Sequence, residues 1–248
     1  MTTDYDLIEK VTDYVETYMD QFDGSHDFNH IKRVVGLAHE ISSSTKSAHP
    51  LVTNDKQDSP VLDPTVITLS ALLHDVGDRK YLTEGRDPTT QVRALLLNFG
   101  ASESLAQTVQ AICLGVSFSS EIKDPSHVTN LIAQYPELAV VQDADRLDAI
   151  GAVGIGRLFT YGGARTERNM HGSVEMMDWK LFRLEGMMKT EKGKEMAREA
   201  TRRMEMFRGW WREEIGTEDF GEKVLEEAKA VDEGSSTDVT DGEAIEEL

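Results

Sequence analysis

Residues 64–77, PTVITLSALLHDVG, constrain this chain more than any other stretch. The segment opens with proline, which is tolerated at the first helical position, and closes at Gly77, where a helix readily stops. Nearly every position between them is apolar, so the pattern predicts a helix buried on all sides rather than along one face. Such a helix must be wrapped by other elements. It also ends in an ionisable pair, His74–Asp75. Burying that pair costs on the order of several kcal/mol unless it is hydrogen-bonded, paired or metal-bound. Taken alone, a satisfied core histidine beside a helix-ending aspartate accounts for it.

The rest of the chain supplies helices to do the wrapping. Apolar residues recur at three- and four-residue spacing in 4–22 and in FNHIKRVVGLAHEI. Further helices are expected at 88–99, at 102–116, from about 136 through LAVVQDADRLDAIGAVGIGRLF, at 174–189 and at 193–215. The glycine-rich stretch 161–172, YGGARTERNMHG, reads as a loop, and 42–63, rich in Ser, Asp, Thr, Asn and Pro, as a flexible surface insertion. No convincing apolar alternation argues for a sheet and no internal repeat is visible, so the expected fold class is all-α. The expected organisation is one domain over 1–220 and an acidic tail over 221–248. That tail holds ten acidic and two basic residues, and reads as one short helix followed by disorder.

At 248 residues the chain is long enough to bury a core without disulfides. Its single cysteine, Cys113, excludes a disulfide framework and any multi-cysteine metal site, and fits a reducing compartment. No apolar run approaches the roughly 18–20 residues of a membrane span. The start, MTTDYDLIEK, lacks the basic and apolar regions of a signal peptide, so a cytoplasmic location is expected. A net charge of −19 argues against a nucleic-acid polymer as partner, because the phosphate backbone needs a basic face. A small anion would need a local positive pocket or a metal.

Two other segments carry titratable groups next to apolar ones. SHDFNHIKRV offers His26, Asp27 and His30, with His30 ahead of the stripe Ile31, Val34, Val35 and Leu37. VVQDADRLDAIG places Asp143, Asp145 and Asp148 among Val140, Val141, Leu147 and Ile150, where an idle acidic stripe would normally face solvent. Any of the three could turn inward.

The ordered set His30, His74–Asp75, Asp145 resembles the HD-domain metal-dependent phosphohydrolases. HDFNHIKRV, ALLHDVGDRKY, VVQDADRLDAIGAVGIGR, FTYGGA and KLFRLEGMMKTEKGKEMA are similar to successive blocks of a bacterial subfamily that includes nucleoside triphosphate pyrophosphohydrolases. The blocks run in order over about residues 5–212, leaving the insertion and the tail outside. The resemblance implies an HD-domain helical bundle with metal ligands at His30, His74, Asp75 and Asp145, and favours Asp145 over Asp143 and Asp148. Two imidazoles and two carboxylates suit one octahedral divalent ion such as Mn2+, Co2+, Ni2+ or Mg2+, with positions left open for water and a phosphate oxygen.

The resemblance also frames the catalytic and substrate-binding groups. Asp78 follows His74 by four residues and shares its face if the helix continues, although Gly77 can end it first and leave Asp78 in a surface turn. Asp27 is the second choice for acid–base work and reads equally well as an N-cap. Arg146, Lys80 and Lys180 are expected phosphate contacts, against the alternative of ordinary surface cations, and Arg33 is placed to buttress a ligand carboxylate. His39 and His49 read as solvent-exposed, His171 as lining the pocket or idle, the C-terminal methionines as core filler, and Cys113 as inert. The expected activity is hydrolysis of (deoxy)nucleoside triphosphates to monophosphate and pyrophosphate. A nucleotide monophosphatase, an HD-type iron oxygenase and a non-catalytic nucleotide-binding scaffold are the alternatives. The partner expected is a small-molecule nucleotide, with a homodimer through the Met- and Trp-rich C-terminal helices.

Overall fold

The computed structural model describes residues 3–47, 61–77 and 87–235. Among them all regular structure is helical. In chain order the helices are α1 (Asp4–Met19), α2 (Phe28–Ser47), α3 (Pro64–Leu73), α4 (Gln91–Asn98), α5 (Glu103–Val116) and α6 (Phe118–Lys123). There follow α7 (Pro125–Gln134), α8 (Glu137–Asp148), α9 (Gly151–Arg165), α10 (Met170–Trp179), α11 (Glu191–Ile215) and α12 (Glu218–Ser235). Two single-turn 3-10 helices lie between α10 and α11. Residues up to Met204 form one compact unit and those from Glu205 onward a second.

The first unit is built around α3. Asp63 caps it, its Oδ1 accepting from the Thr65 N–H at 2.8 Å, with Pro64 at the position where no N–H is needed. Seven of its residues are buried, and α1, α2, α5 and α8 pack around it. Against it α1 turns Leu7, Val11, Val15 and Met19, the strict four-residue repeat of a single helical face. On another side Val66 meets Ile112 and Val116 of α5 and Leu138 and Val141 of α8. Each such buried side chain contributes roughly 1.5–3 kcal/mol over leaving it in water.

The structure changes several boundaries. The α3 helix stops at Leu73, and residues 74–77 form a turn that Gly77 closes at φ 82°. The expected insertion at 42–63 begins helical, because α2 runs on to Ser47; residues 48–60 lie outside the described residues. The long helix expected from 136 breaks between α8 and α9, where Gly151 takes φ 68°, a value open to glycine at little cost. The glycine-rich stretch at 161–172 is not one loop, since Tyr161–Arg165 complete α9. The helix expected at 174–189 ends at Trp179, and α6 and α7 fill a region for which the sequence suggested no element. The boundary at 220 falls inside α12, an 18-residue helix where one short helix was expected; residues 236–248 lie outside the described residues.

Within the second unit, the Phe207 and Trp211 rings lie 6.1 Å apart, and Trp210, Phe220 and Leu225 are exposed. Among the described residues no helix is long and apolar enough to cross a membrane.

Candidate metal centre

The centre is assembled from the start of α2, the turn after α3 and the last turn of α8. Asp27, immediately before α2, accepts the His30 backbone N–H at 3.0 Å and so starts the helix that carries His30 inward. His30 and His74 are both buried, with their Nε2 atoms 3.2 Å apart. The Oδ2 of Asp75 lies 3.3 Å from His30 Nε2 and 3.5 Å from His74 Nε2. Oδ1 of Asp145 is 3.7 Å from both.

The hydrogen bonds on the far side of each ring fix which nitrogen faces the cluster. Nδ1 of His74 donates to the Ala71 carbonyl at 2.8 Å, and Nδ1 of His30 donates to Asp148 Oδ2 at 2.7 Å. In their neutral form the two rings thus turn Nε2 lone pairs toward one another. Asp75 Oδ2 is buried and has no hydrogen-bond partner. Two facing lone pairs and an orphaned carboxylate oxygen need a cation among them. The separations of 3.2 and 3.3 Å fall within the roughly 3.0–3.4 Å that ligand atoms about 2.1 Å from a shared ion subtend on one another, and those of Asp145 are a few tenths of an ångström longer. The donor set, two nitrogens and two oxygens without sulfur, fits a divalent ion of the Mn2+ or Mg2+ type better than a structural zinc.

The electrostatics agree with this assembly. Burial raises the Asp75 carboxyl, but the imidazoles of His74 and His30 outweigh it and hold the group well below the usual range. Asp145 is lowered for the same reason, burial being overcome by His74 and His30. Asp148 shows the balance most clearly. Burial opposes its charge, yet hydrogen bonds from His30 and Arg33 bring its pKa down to about 2. Arg33 reaches it with two donors, Nε at 2.5 Å and Nη2 at 3.0 Å, a fork-on-carboxylate geometry.

A cavity of about 290 Å³ opens onto His74, Asp75 and Asp145. Its walls carry three cations, Arg157, Arg168 and Lys180, and the aromatic pair Phe118 and Trp179, whose rings stand 6.4 Å apart at 62°. The ammonium of Lys180 sits 5.2 Å from the centre of the Phe118 ring. His26 also lines the cavity, with its Nδ1 2.7 Å from Ser25 Oγ.

Of the residues singled out in the sequence, His30, His74 and Asp145 lie within reach of one ion, Asp75 Oδ2 stands beside both imidazoles, and Lys180 lies on the cavity wall. Arg33 does buttress a carboxylate, but that of Asp148 and not of a ligand. Arg146 requires correction. Its side chain is buried, donates to the Met187 carbonyl at 2.8 Å and pairs with Glu121, and it does not line the cavity. Asp27 is spent as a helix cap, accepting from His30 N and Asn29 Nδ2, and is likewise absent from the cavity wall. Asp143 is buried and bound to the Lys189 and Thr190 backbone N–H groups. Asp78 and Lys80 lie outside the described residues. His171 is exposed on α10 and not on the cavity wall, and His39 bonds Thr68 Oγ1 at 2.8 Å. Met177 and Met204 are core residues as expected, whereas Met206 is exposed and Met176 lines the cavity. Burial pushes the Cys113 thiol far up, which keeps it inert.

Three functional placements escaped sequence reasoning. Asp148 braces His30; Arg157 and Arg168 reach the cavity from α9 and the turn after it; Trp179 lines it while remaining 60% exposed. Arg157 stands in GIGRLF, Arg168 in RTERNM and Trp179 in EMMDWK, and no spacing in these stretches singles them out.

The HD domain family matches residues 27–150, which contain His30, His74, Asp75 and Asp145. The protein YpgQ of Bacillus subtilis is 31% identical over 195 residues, covering 77% of this chain and 85% of that protein. The crystal structure of YpgQ in complex with ADP is similar with a TM-score of 0.65 at 28% identity, over 87% of this chain and 98% of that one. An HD-superfamily hydrolase from Bacillus thuringiensis is similar with a TM-score of 0.59 at 28% identity, over 86% and 98% of the two chains. With its histidine–aspartate cluster and these relatives, the chain belongs to the HD domain family.

Proposed function

We propose that the protein is a metal-dependent nucleotide phosphohydrolase that cleaves (deoxy)nucleoside triphosphates to the monophosphate and pyrophosphate. The observation that carries this reading is the cluster of His30, His74, Asp75 and Asp145, with Asp75 Oδ2 lacking a hydrogen-bond partner, opening onto a cavity with cationic and aromatic walls. Hydrolysis of a phosphoanhydride needs a polarised phosphoryl oxygen, an activated water and neutralisation of several negative charges. YpgQ, similar over most of both chains, holds ADP in its crystal structure, which supports a nucleotide as ligand here.

His30, His74, Asp75 and Asp145 would hold the ion, with Mn2+, Co2+, Ni2+ and Mg2+ as the candidates. A divalent ion bound there polarises a phosphoryl oxygen and lowers the pKa of a bound water. The remaining work falls to the chain. Lys180 offsets phosphate charge from the cavity wall, and Phe118 and Trp179 offer aromatic faces to a base, a mode that tolerates any base. Asp78 is the proposed acceptor of the water proton, three residues past the ligand Asp75. In the net step the water oxygen bonds to the α-phosphorus. The bond from that phosphorus to the α–β bridging oxygen breaks, and its electron pair leaves with pyrophosphate.

A monophosphatase uses the same cluster and is the second reading. An iron oxygenase is disfavoured, because the only histidine between Asp75 and Asp145 is His127, which is exposed on α7. Phosphorus NMR of products from a panel of ribo- and deoxyribonucleoside triphosphates, with and without Mn2+ and with His74→Ala as control, tests the reading. Pyrophosphate that appears only with the ion and is lost in the variant is the expected result. Orthophosphate as the product moves the point of attack, and no turnover of any triphosphate removes the proposal.

A further inference from the structure

Arg157 is the cavity cation most firmly fixed in place. Its Nε donates to the Ser25 carbonyl at 2.7 Å, and its Nη1 to Asp148 Oδ2 at 3.2 Å. These bonds hold the guanidinium by two of its edges, from the loop before α2 and from the end of α8. Its side chain is only 13% exposed, and it lines the cavity that His74, Asp75 and Asp145 also line. Nη2 has no partner among the described residues. An arginine so nearly buried, immobilised at two nitrogens and lining a cavity with a third nitrogen to spare is preorganised for an anion. It has already lost its rotamer freedom, so binding need not remove it again.

The other cations on the wall are held differently. Arg168 lies with its Cζ 5.9 Å from the Tyr161 ring centre and bonds Thr166, and Lys180 rests over Phe118. Arg157 is linked to the His30 imidazole through Asp148, which it shares with His30 Nδ1.

We propose that Arg157 binds a phosphate group of the substrate directly beside the metal centre, as the positioned guanidinium of the site. This rests on the phosphohydrolase reading for the identity of the anion. The Asp148 carboxylate then joins two functions in one group: it orients a metal-ligating imidazole and it aims the guanidinium that receives the phosphate. A phosphate accepting from Nη2 would be gripped between that donor and the ion.

Isothermal titration of the full chain with two probes tests this: Mn2+ alone, then pyrophosphate into the Mn2+-loaded protein. Arg157→Gln is expected to weaken pyrophosphate binding about tenfold or more, the value of a charged hydrogen bond, while Mn2+ affinity changes less than about threefold. Arg157→Lys keeps the charge but cannot hold Ser25 and Asp148 together, so its pyrophosphate affinity is expected to fall between the other two. Circular dichroism reports folding, and should Arg157→Gln not fold, the lysine variant decides alone. The proposal is overturned by pyrophosphate affinity within about twofold of wild type in the deciding variant, since a lost charged hydrogen bond predicts more. It is overturned equally by a wild type that binds no pyrophosphate, or by a loss of pyrophosphate affinity no larger than the loss of Mn2+ affinity, which would leave Arg157 as a brace for Asp148. A chain that binds pyrophosphate through Arg157 but cleaves no triphosphate keeps this inference and loses the function proposed above. Turnover of triphosphates with unchanged affinity in the variants does the reverse.

Discussion

Asp148 Oδ2 stands 2.7 Å from Nδ1 of His30 and so decides which nitrogen of that ring is free to bind an ion. The carboxylate accepts the Nδ1 proton, and two arginines hold the carboxylate still. In Asp148→Asn the carboxamide keeps the shape but loses the charge that attracts all three donors. Mn2+ affinity is expected to fall about 10- to 100-fold, the usual effect of losing a partner behind a ligating histidine. Isothermal titration measures it, and an unchanged affinity would mean that something other than Asp148 sets the ring.

Ion binding should register as stability. The ligands come from α2, the turn after α3 and α8, and Asp75 Oδ2 has no other partner. An ion at 100 times its dissociation constant adds about 2.7 kcal/mol. In a domain of this size that corresponds to a rise in Tm of roughly 5–10 °C. Differential scanning calorimetry with Mn2+ and with chelator is expected to show the rise in wild type and none in His74→Ala. A melting temperature indifferent to divalent ions would sink the centre.

Arg146 belongs to the stability of the fold rather than to substrate binding. Glu121 on α6 pairs with it and with Lys189, and those two cations hold the Glu121 carboxyl below its usual range against the opposing effect of burial. Glu121→Gln leaves the buried guanidinium without its counter-charge, which is expected to cost about 3–5 kcal/mol. Urea denaturation reads the loss. Nucleotide KM in Arg146→Met, measured well below its melting temperature, is expected to stay near wild type; a large rise would return Arg146 to the substrate.

Acid stability gives an independent check on the loop that precedes α2. Burial disfavours the charged Asp23 carboxylate, but Ser25 and Arg165 bind it and bring its pKa to about 2. An unfolded aspartate titrates near 3.9, so the native state binds fewer protons in the range between. Asp23 therefore stabilises the fold fully above about pH 5, and that contribution fades as pH falls toward 2. The gap in urea midpoint between wild type and Asp23→Asn is expected to narrow from neutral pH to about pH 3. A gap that widens on acidification would contradict the assignment.

The sequence made the metal ligands legible because each stands against an apolar background. His74 and Asp75 end a helix with no solvent face, and His30 and Asp145 interrupt apolar stripes. What stayed hidden depended on rotation about a helix. Asp143, Asp145 and Asp148 lie on one helix at about 100° per residue, so they point three ways, and only the neighbours decide which points at the histidines. The same rotation explains Arg146. Covalent adjacency to Asp145 turns its side chain away from that of Asp145, toward Glu121. Arg157 was hidden for another reason. It reaches Asp148 from the next helix, after a chain reversal at Gly151 that periodicity does not register. The helical YGGAR reflects packing that no propensity contains, since Gly162 sits so close to Ser173 that a side chain would collide.

The three aspartates of α8 bear on three separate parts of the first unit. Asp143 grips the backbone at 189–190, where a Cβ on Gly193 would strike it; Asp145 faces the two imidazoles; Asp148 holds His30, Arg33 and Arg157. The helix thus behaves as a shaft with three keys cut at different angles. A twist that improves the seating of one unseats the others, so its whole circumference is under constraint. A substitution at Thr190, whose hydroxyl donates to Asp143 at 2.7 Å and which has no atom on the cavity wall, would then be felt as a change in the hold on the ion.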